Sequence, residues 1–588
     1  MKYPGLIPAL LLILAMQAGY GQQSLPGNDL AETGSSYYGQ SPSVNDIWEA
    51  LSRYGQAEVA ISYPGFDAMT RLAARFAVSA CDGKTARLIL SDRDAGDFIA
   101  AGIPYILLVP EERKGFYTAS SVDEAMLWQS YPTLKHYDTI MHRIAERWPE
   151  VCVLDTIGFS VQGRAVLALK ISDNPRSDEP EPEVLISSSI HGDEPAGFVL
   201  LMRLAEYLAS GSGGGVPMAA DLVSGLEIWI NPLSNPDGMY RNNDTMIYPV
   251  RANSNGYDLN RNFPDPEVGV PPPLQQETAE MMRFLEERRF ALSIGLHSGA
   301  EVVNYPWDKW TRDHPDDAWF NDISRRYADT VHLHAEPGYM TFLDNGVTKG
   351  WVWYVVRGGR QDYVTWGLGG REVTLEIDDT KMTPGPNLEQ LWEWNRRSLL
   401  NYIAEAMTGV RGTVTDAVTG DPLSARIFIS GHDADSSHVW SDTTTGFYTR
   451  LLPPGTWNLT FTCPGYKSYT LTAGLSAASP LMISEIELER GDDLYPDPPE
   501  SGLLVFPNPS DGNFSLMPPA AVTGQVTVTV TTSSGAIVKR YRTTAWPGIP
   551  VVCEFSTLPA DIYIISLRKE PIGPVVRGKA AVTRLINR

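Results

Sequence analysis

His191-Gly-Asp-Glu194 sets an imidazole and a carboxylate three positions apart, close enough to share one metal ion. Two histidines, one glutamate and a water make a catalytic zinc set, so a third ligand is needed. His297 is the candidate. It closes the apolar run Ala291-Leu-Ser-Ile-Gly-Leu296, and none of the seven histidines outside this set has a comparable placement. A metal held this way activates water, and a carboxylate must then take the proton. Glu376 suits that task. It stands in Arg371-Glu-Val-Thr-Leu-Glu376-Ile, where an acidic residue within an apolar strand is costly unless paired or functional. Alternation puts Glu372 on the same face.

Such side chains need rigid supports. The run Glu183–Ile190, rich in β-branched residues, reads as a strand ending just before His191. A helical pattern, Pro195–Leu208, starts just after Glu194 with a good first-turn residue. His191 and Glu194 therefore fall at the carboxyl edge of a sheet, where open α/β folds place their sites. Further strand-like runs, Leu226–Ile230, Ala291–Leu296 and Glu372–Ile377, and the helical run Leu388–Ala406 predict an α/β domain over residues 123–407.

The 588-residue chain is too long for a single core. Ahead of the α/β domain, residues 22–122 predict a small α/β unit, with strands Ala57–Tyr63 and Tyr105–Val109 and a helix Phe66–Val78. Its position suits a pro-region or inhibitory lid. From 408 to 490 the composition turns to Thr, Ser, Gly and short alternating runs punctuated by turns such as Pro453-Pro454-Gly455, the pattern of a β-sandwich. A Pro-rich acidic linker covers 491–502, and a second β-rich module covers 503–588.

Lys2, the apolar run Leu6–Ala18 and the small residues before Gln22 read as a secretory signal peptide over residues 1–21, too short to span a membrane. No other stretch reaches transmembrane length. A net charge of −23 argues against nucleic acid, which needs a basic footprint; an acidic field would favour cationic substrates, although solubility alone is the commoner reason for acidity. Four widely spaced cysteines (Cys81, Cys152, Cys463, Cys553) form no visible disulfide framework or CxxC site.

The order His191-x-x-Glu194, Asn235-Pro-Asp-Gly238, Asp258-Leu-Asn-Arg-Asn-Phe263, His297 and Thr374-Leu-Glu376 closely resembles the zinc metallocarboxypeptidases. Gly346-Val-Thr-Lys-Gly-Trp-Val-Trp-Tyr354 and Gly358-Gly-Arg-Gln-Asp-Tyr363 point to their regulatory carboxypeptidase N/E branch. The resemblance implies a mixed-sheet α/β/α domain holding one zinc on His191, Glu194 and His297, with Glu376 as general base and then acid. It implies that Arg251, nine residues before Asn260, stabilises the oxyanion. Asn260 and Arg261 would clamp the substrate's terminal carboxylate and Tyr354 would close over it. Arg is well shaped for that clamp, being a planar bidentate donor. Asp308, eleven residues after His297, and Gln361, seven after Tyr354, match the side-chain pocket of members specific for Lys or Arg.

Three departures stand out. Asp193 replaces an arginine of the digestive enzymes, in keeping with the N/E branch. Arg360 stands where that branch usually has Met, an added cation that could weaken a pocket for basic side chains. Gly370-Arg371 replaces its usual Cys-Phe.

The segment Gly409–Leu423, with Gly446-Phe-Tyr448, Leu452-Pro-Pro-Gly455 and Gly465-Tyr466, resembles the transthyretin-like domain that follows the catalytic domain in this branch. Val505-Phe-Pro-Asn-Pro-Ser-Asp-Gly-Asn-Phe-Ser-Leu516 is similar to the C-terminal sorting domain of type IX secretion cargo. It implies passage through the periplasm to the cell surface or medium, handled by the secretion machinery, with the tail removed. The resulting expectation is a secreted, monomeric zinc exopeptidase acting on peptide or protein C-termini. The rival readings are an apolar- or acidic-preferring carboxypeptidase, an amidase of the desuccinylase and aspartoacylase type, and a non-catalytic surface peptide-binding protein.

Overall fold

The computed structural model describes residues 36–37, 44–109, 118–491 except 242, 270 and 272, and, with short breaks, 502–582. The expected signal peptide, most of the linker, and part of the motif beginning at Val505 lie outside the described residues.

The central domain is built on an eight-stranded mixed sheet. Its strands in chain order are β1 (Cys152–Phe159), β2 (Ala165–Ile171), β3 (Glu183–Ser188), β4 (Glu227–Asn231), β5 (Phe290–His297), β6 (Ala300–Tyr305), β7 (Val347–Lys349) and β8 (Arg371–Asp378), in spatial order β7-β6-β8-β5-β3-β4-β2-β1. The strands β8, β5, β3 and β4 run parallel to one another. They are apolar without alternation because both faces are covered, as Val184, Leu185 and Ile186 show by being fully buried. Helices α1 (Leu134–Arg147), α2 (Ala196–Gly211), α4 (Asp317–His332) and α5 (Leu388–Ala404) pack into the larger core on one face, while α3 (Gln276–Glu287) covers the other. This is the mixed-sheet α/β/α architecture expected. The predicted strand Glu183–Ile190 stops two residues early, because Ser189 takes a left-handed φ of 53° and turns the chain toward His191.

The N-terminal unit folds on a five-stranded sheet with helices Val44–Tyr54, Phe66–Ala73 and Ala95–Ala100. One expectation fails here. The helix predicted over Phe66–Val78 ends at Ala73, and Val78 lies in the strand Ala77–Cys81, which pairs with Thr85–Leu90. Cross-strand pairing and burial of Val78 override a helical pattern that runs through small residues.

Residues 409–488 form two facing sheets around a core that includes Val410, Val414, Ile427, Leu459 and Phe461. Residues 504–582 form a second pair, one sheet of three strands and one of four. Both are the β-sandwiches expected. All four cysteines are buried and free.

A buried ionic node joins the central domain to the first sandwich. Asp316 receives both terminal nitrogens of Arg450, at 2.9 and 3.0 Å, and Nη2 of Arg371 at 2.6 Å. Arg450 also donates to Asp433 at 2.7 Å, and His432 stands between the two carboxylates. Arg450 and Arg371 hold the Asp316 carboxyl, despite its burial, far below the usual carboxylate range. The Gly370-Arg371 departure is thereby explained. Arg371 reaches Asp316 and the carbonyl of Ser437 in the sandwich, not the catalytic residues.

Candidate active site

Parallel pairing sets the register of the site. On one face of the sheet, His297 of β5 lies opposite Glu376 of β8, Gly295 opposite Thr374, and Ser293 opposite Glu372. Asn304 of β6 pairs with Thr374 from the other side. The turn after β3 delivers His191 and Glu194 to the same edge.

Three ligand atoms converge there. His191 Nδ1 lies 3.0 Å from Glu194 Oε2, and His297 Nδ1 lies 2.9 Å from Glu194 Oε2 and 3.1 Å from His191 Nδ1. All three side chains are buried. Burial pushes the His297 imidazolium down to about 4, so the ring is neutral and able to bind a metal at neutral pH. His191 Nε2 sits 3.2 Å from Asp258 Oδ1, an arrangement that fixes the tautomer of a ligating histidine. The donor set therefore fits one zinc ion. Two other acidic groups could in principle hold a cation, Asp173/Glu179/Glu181 and Glu301/Asp378/Asp379, but neither contains a histidine.

Around this point lie the other expected residues. Burial and the neighbouring Glu194 push the Glu376 carboxyl well above its ordinary value, and its Oε2 is buried without a partner. Arg251 donates Nε to Asp258 at 2.9 Å and Nη1 to Glu194 at 3.3 Å. Arg261 donates Nη1 to the Asn260 carbonyl, while its Nε and Nη2 are buried with no acceptor. Asn260 accepts the backbone N–H of Arg360. Tyr354 lines the same cavity.

Asp308 also lines it, and its Oδ1 accepts from Asn304 Nδ2 at 3.1 Å and Gln361 Nε2 at 3.0 Å. Burial raises the Asp308 carboxyl to about 6. The amide oxygens of Asn304 and Gln361 are buried without donors. Gln361 itself stands behind Asp308 rather than on the cavity wall. Arg360 does not confront Asp308 as a bare cation. It donates Nε to Glu372 at 2.9 Å and Nη1 to Ser187 at 2.5 Å, and Ser293 donates to the other Glu372 oxygen at 2.8 Å. Glu372, costly in an apolar strand, is the counter-charge of Arg360.

Three contributors escaped sequence reasoning. Asp258 was visible only as part of a motif. Asn304 lies mid-strand with no signal beyond being polar in an apolar run. Lys381 follows β8 and donates to Asp193 at 3.1 Å and Glu194 at 3.2 Å. Although burial opposes its charge, those two carboxylates raise its ammonium above the ordinary value.

The N-terminal unit closes the site. Gln56 donates Nε2 to Asp193 at 3.0 Å and accepts the backbone N–H of Arg251 at 2.8 Å. Trp353 Nε1 donates to the carbonyl of Cys81, and Val78 and Ser79 line the same cavity as Glu376. What remains is about 40 Å3, room for about three waters.

The sequence profile described as Zinc carboxypeptidase matches residues 137–398, and that described as Carboxypeptidase regulatory-like domain matches 409–489. Carboxypeptidase N catalytic chain of Homo sapiens is 31% identical over 399 residues, covering 60% of this chain and 85% of that one. Carboxypeptidase E of Caenorhabditis elegans is 30% identical, covering 60% and 84%. The chain belongs to the zinc carboxypeptidase family. Carboxypeptidase D of Homo sapiens is 35% identical over 363 residues, 59% of this chain, and the match spans 26% of that longer protein. As a zinc carboxypeptidase, the chain has zinc as its cofactor, and His191, Glu194 and His297 are the buried two-histidine, one-glutamate set among the described residues. Among those residues no helix is long and apolar enough to cross a membrane.

Proposed function

We propose that this protein hydrolyses the C-terminal peptide bond of peptides and proteins and releases Lys or Arg. The observation that carries the reading is a set of buried polar atoms without partners, arranged as the complement of a basic C-terminal residue. Arg261 offers two unused donors for the terminal carboxylate. Asn304 offers an unused acceptor beside the Asp308 carboxylate, which a cationic side chain would fill, and Gln361 holds that carboxylate from behind.

Zinc bound by His191, Glu194 and His297 would polarise the scissile carbonyl and lower the pKa of water. Glu376, opposite His297, takes the proton of the attacking water and returns it to the leaving amine. Arg251 turns from its carboxylate partners toward the oxyanion, a stabilisation worth about 3 kcal/mol for one donor. Asn260 and Arg261 hold the carboxylate, and Tyr354 closes over it. Release of amino acid from matched peptides ending in Arg, Lys, Leu and Glu, with and without a chelator, tests the reading. Chelator-sensitive release of Arg or Lys is expected. Release of Leu or Glu instead overturns the pocket assignment.

The same proposal makes residues 22–122 a pro-region-like cover, supported by Gln56 and by the small volume left beneath Ser79. A secreted or cell-surface location, export through the C-terminal module, and a monomeric state belong to it on sequence grounds alone.

A further inference from the structure

The C-terminal module differs from the rest of the chain in charge. Residues 503–588 contain nine Lys and Arg against four Asp and Glu, within a chain of net charge −23. Its four-stranded sheet, β9 (Gly524–Thr532), β10 (Ile537–Ala545), β11 (Asp561–Lys569) and β12 (Val575–Val582), is ordered β10-β9-β11-β12. One face is the core, with Val526, Val528, Val530, Ile565 and Leu567 fully buried. Register then fixes what the other face presents.

Arg542, Thr527, Arg568 and Val575 form one row across the strands, and Arg540, Thr529, Ser566 and Arg577 form the next. Lys579 follows beside Ile564. With neighbouring strands about 4.8 Å apart and alternate residues about 6.7 Å apart, five cations occupy a flat patch roughly 14 Å on a side. All five are exposed, and no Asp or Glu occupies an outward position on these strands among the described residues. Arg542 lies beside Gly269 of the central domain, and Arg540, Arg568, Arg577 and Lys579 are exposed. Three aliphatic side chains share the face: Ile537, Ile562 and Val575 are 54%, 53% and 39% exposed.

We propose that this face docks the chain, while it still carries the module, on an anionic lipid surface. Clustered cations attract phosphate headgroups, and exposed aliphatic side chains among them enter the interface. The outward positions carry no aromatic residue on which nucleic-acid bases could stack. The acidic remainder of the chain is repelled by the same surface, so the module end faces the lipid. The inference does not depend on the peptidase reading.

Flotation of the full-length protein with phosphatidylcholine vesicles, with and without phosphatidylglycerol, tests it. Binding is expected only with phosphatidylglycerol and should fall with salt. The exposed double variant R540Q/R577Q should bind about 25-fold more weakly, at roughly fivefold per cation, with an unchanged melting curve. I562S should weaken binding without altering its salt dependence. Equal partition to both vesicle types, no partition, or undiminished binding by R540Q/R577Q overturns the proposal. Displacement by inorganic phosphate at matched ionic strength would assign the patch to a free anion and overturn it. Self-association in sedimentation that R540Q/R577Q abolishes would assign it to the acidic surface of a second copy, with the same consequence.

Discussion

The active site and the interdomain node are both built of buried charge, yet they are finished differently. In the node every carboxylate oxygen of Asp316 and Asp433 has a partner, and what remains over is the Nε–H of each arginine. In the site, Glu376, Arg261, Asn304 and Gln361 all keep buried polar atoms unsatisfied. Each such atom costs about 1–3 kcal/mol. A fold can tolerate that cost where a ligand will later supply the missing partner; in the node the carboxylates are fully paired and only arginine N–H groups are left over.

The sharpest break is Glu376→Gln. Turnover should drop about 10²–10⁴-fold, with zinc content by metal analysis and the unfolding midpoint unchanged; retained turnover removes Glu376 from the chemistry. Asp316→Ala should show itself first in stability. Leaving Arg371 without a carboxylate partner and Arg450 with Asp433 alone should cost about 3–5 kcal/mol in denaturant unfolding, and a loss below about 1 kcal/mol would show that the node contributes little to stability. Asp308→Ala should lower kcat/KM for Lys and Arg ends by about 2–5 kcal/mol and leave Leu ends nearly untouched; equal losses sink the basic pocket. Gln56→Glu sets a carboxylate against Asp193 and should raise turnover several-fold by loosening the N-terminal cover. A fall would make that unit part of the working enzyme.

The smallest expected effect is in pH. The Asp308 carboxyl titrates at about 6, so kcat/KM for basic ends should rise relative to Leu ends as pH climbs through that value. The Asp316 carboxyl is held low instead, and the sign of its contribution follows. Its stabilisation is complete above the unfolded carboxyl value near 3.9 and is lost only as pH falls toward its folded value. Stability that faded through pH 6 in the wild type but not in Asp316→Ala would contradict this.

The sequence disclosed the site where chemistry dictates spacing. His297 ends a strand, His191 and Glu194 follow one, and Glu376 lies two residues inside another; apolar runs announce all three strands, and the sheet brings the four residues together. It disclosed less where meaning depends on a distant partner. Arg360 reads as a disturbing cation until Glu372 and Ser187 are seen beside it. Arg371 is unintelligible without Asp316 and the sandwich domain. Asn304 and Lys381 act through contacts made across strands and loops, for which local pattern carries no signal. The N-terminal unit was legible as α/β, but its middle was misread because the pairing partner of Ala77–Cys81 decides the outcome.

Strand β8 has one end in each of the two clusters. Arg371, its first residue, is held by Asp316 of its own domain and by the Ser437 carbonyl of the sandwich, and five positions later, about 17 Å along the strand, the strand presents Glu376. The sandwich thus works as an anchor bolt for a rail that carries the proposed base, and a shift in it would be inherited by the chemistry. Exchanging that sandwich for one from a relative without counterparts of Arg450 and Asp433 would leave every active-site residue in place in the sequence, and still detune the enzyme.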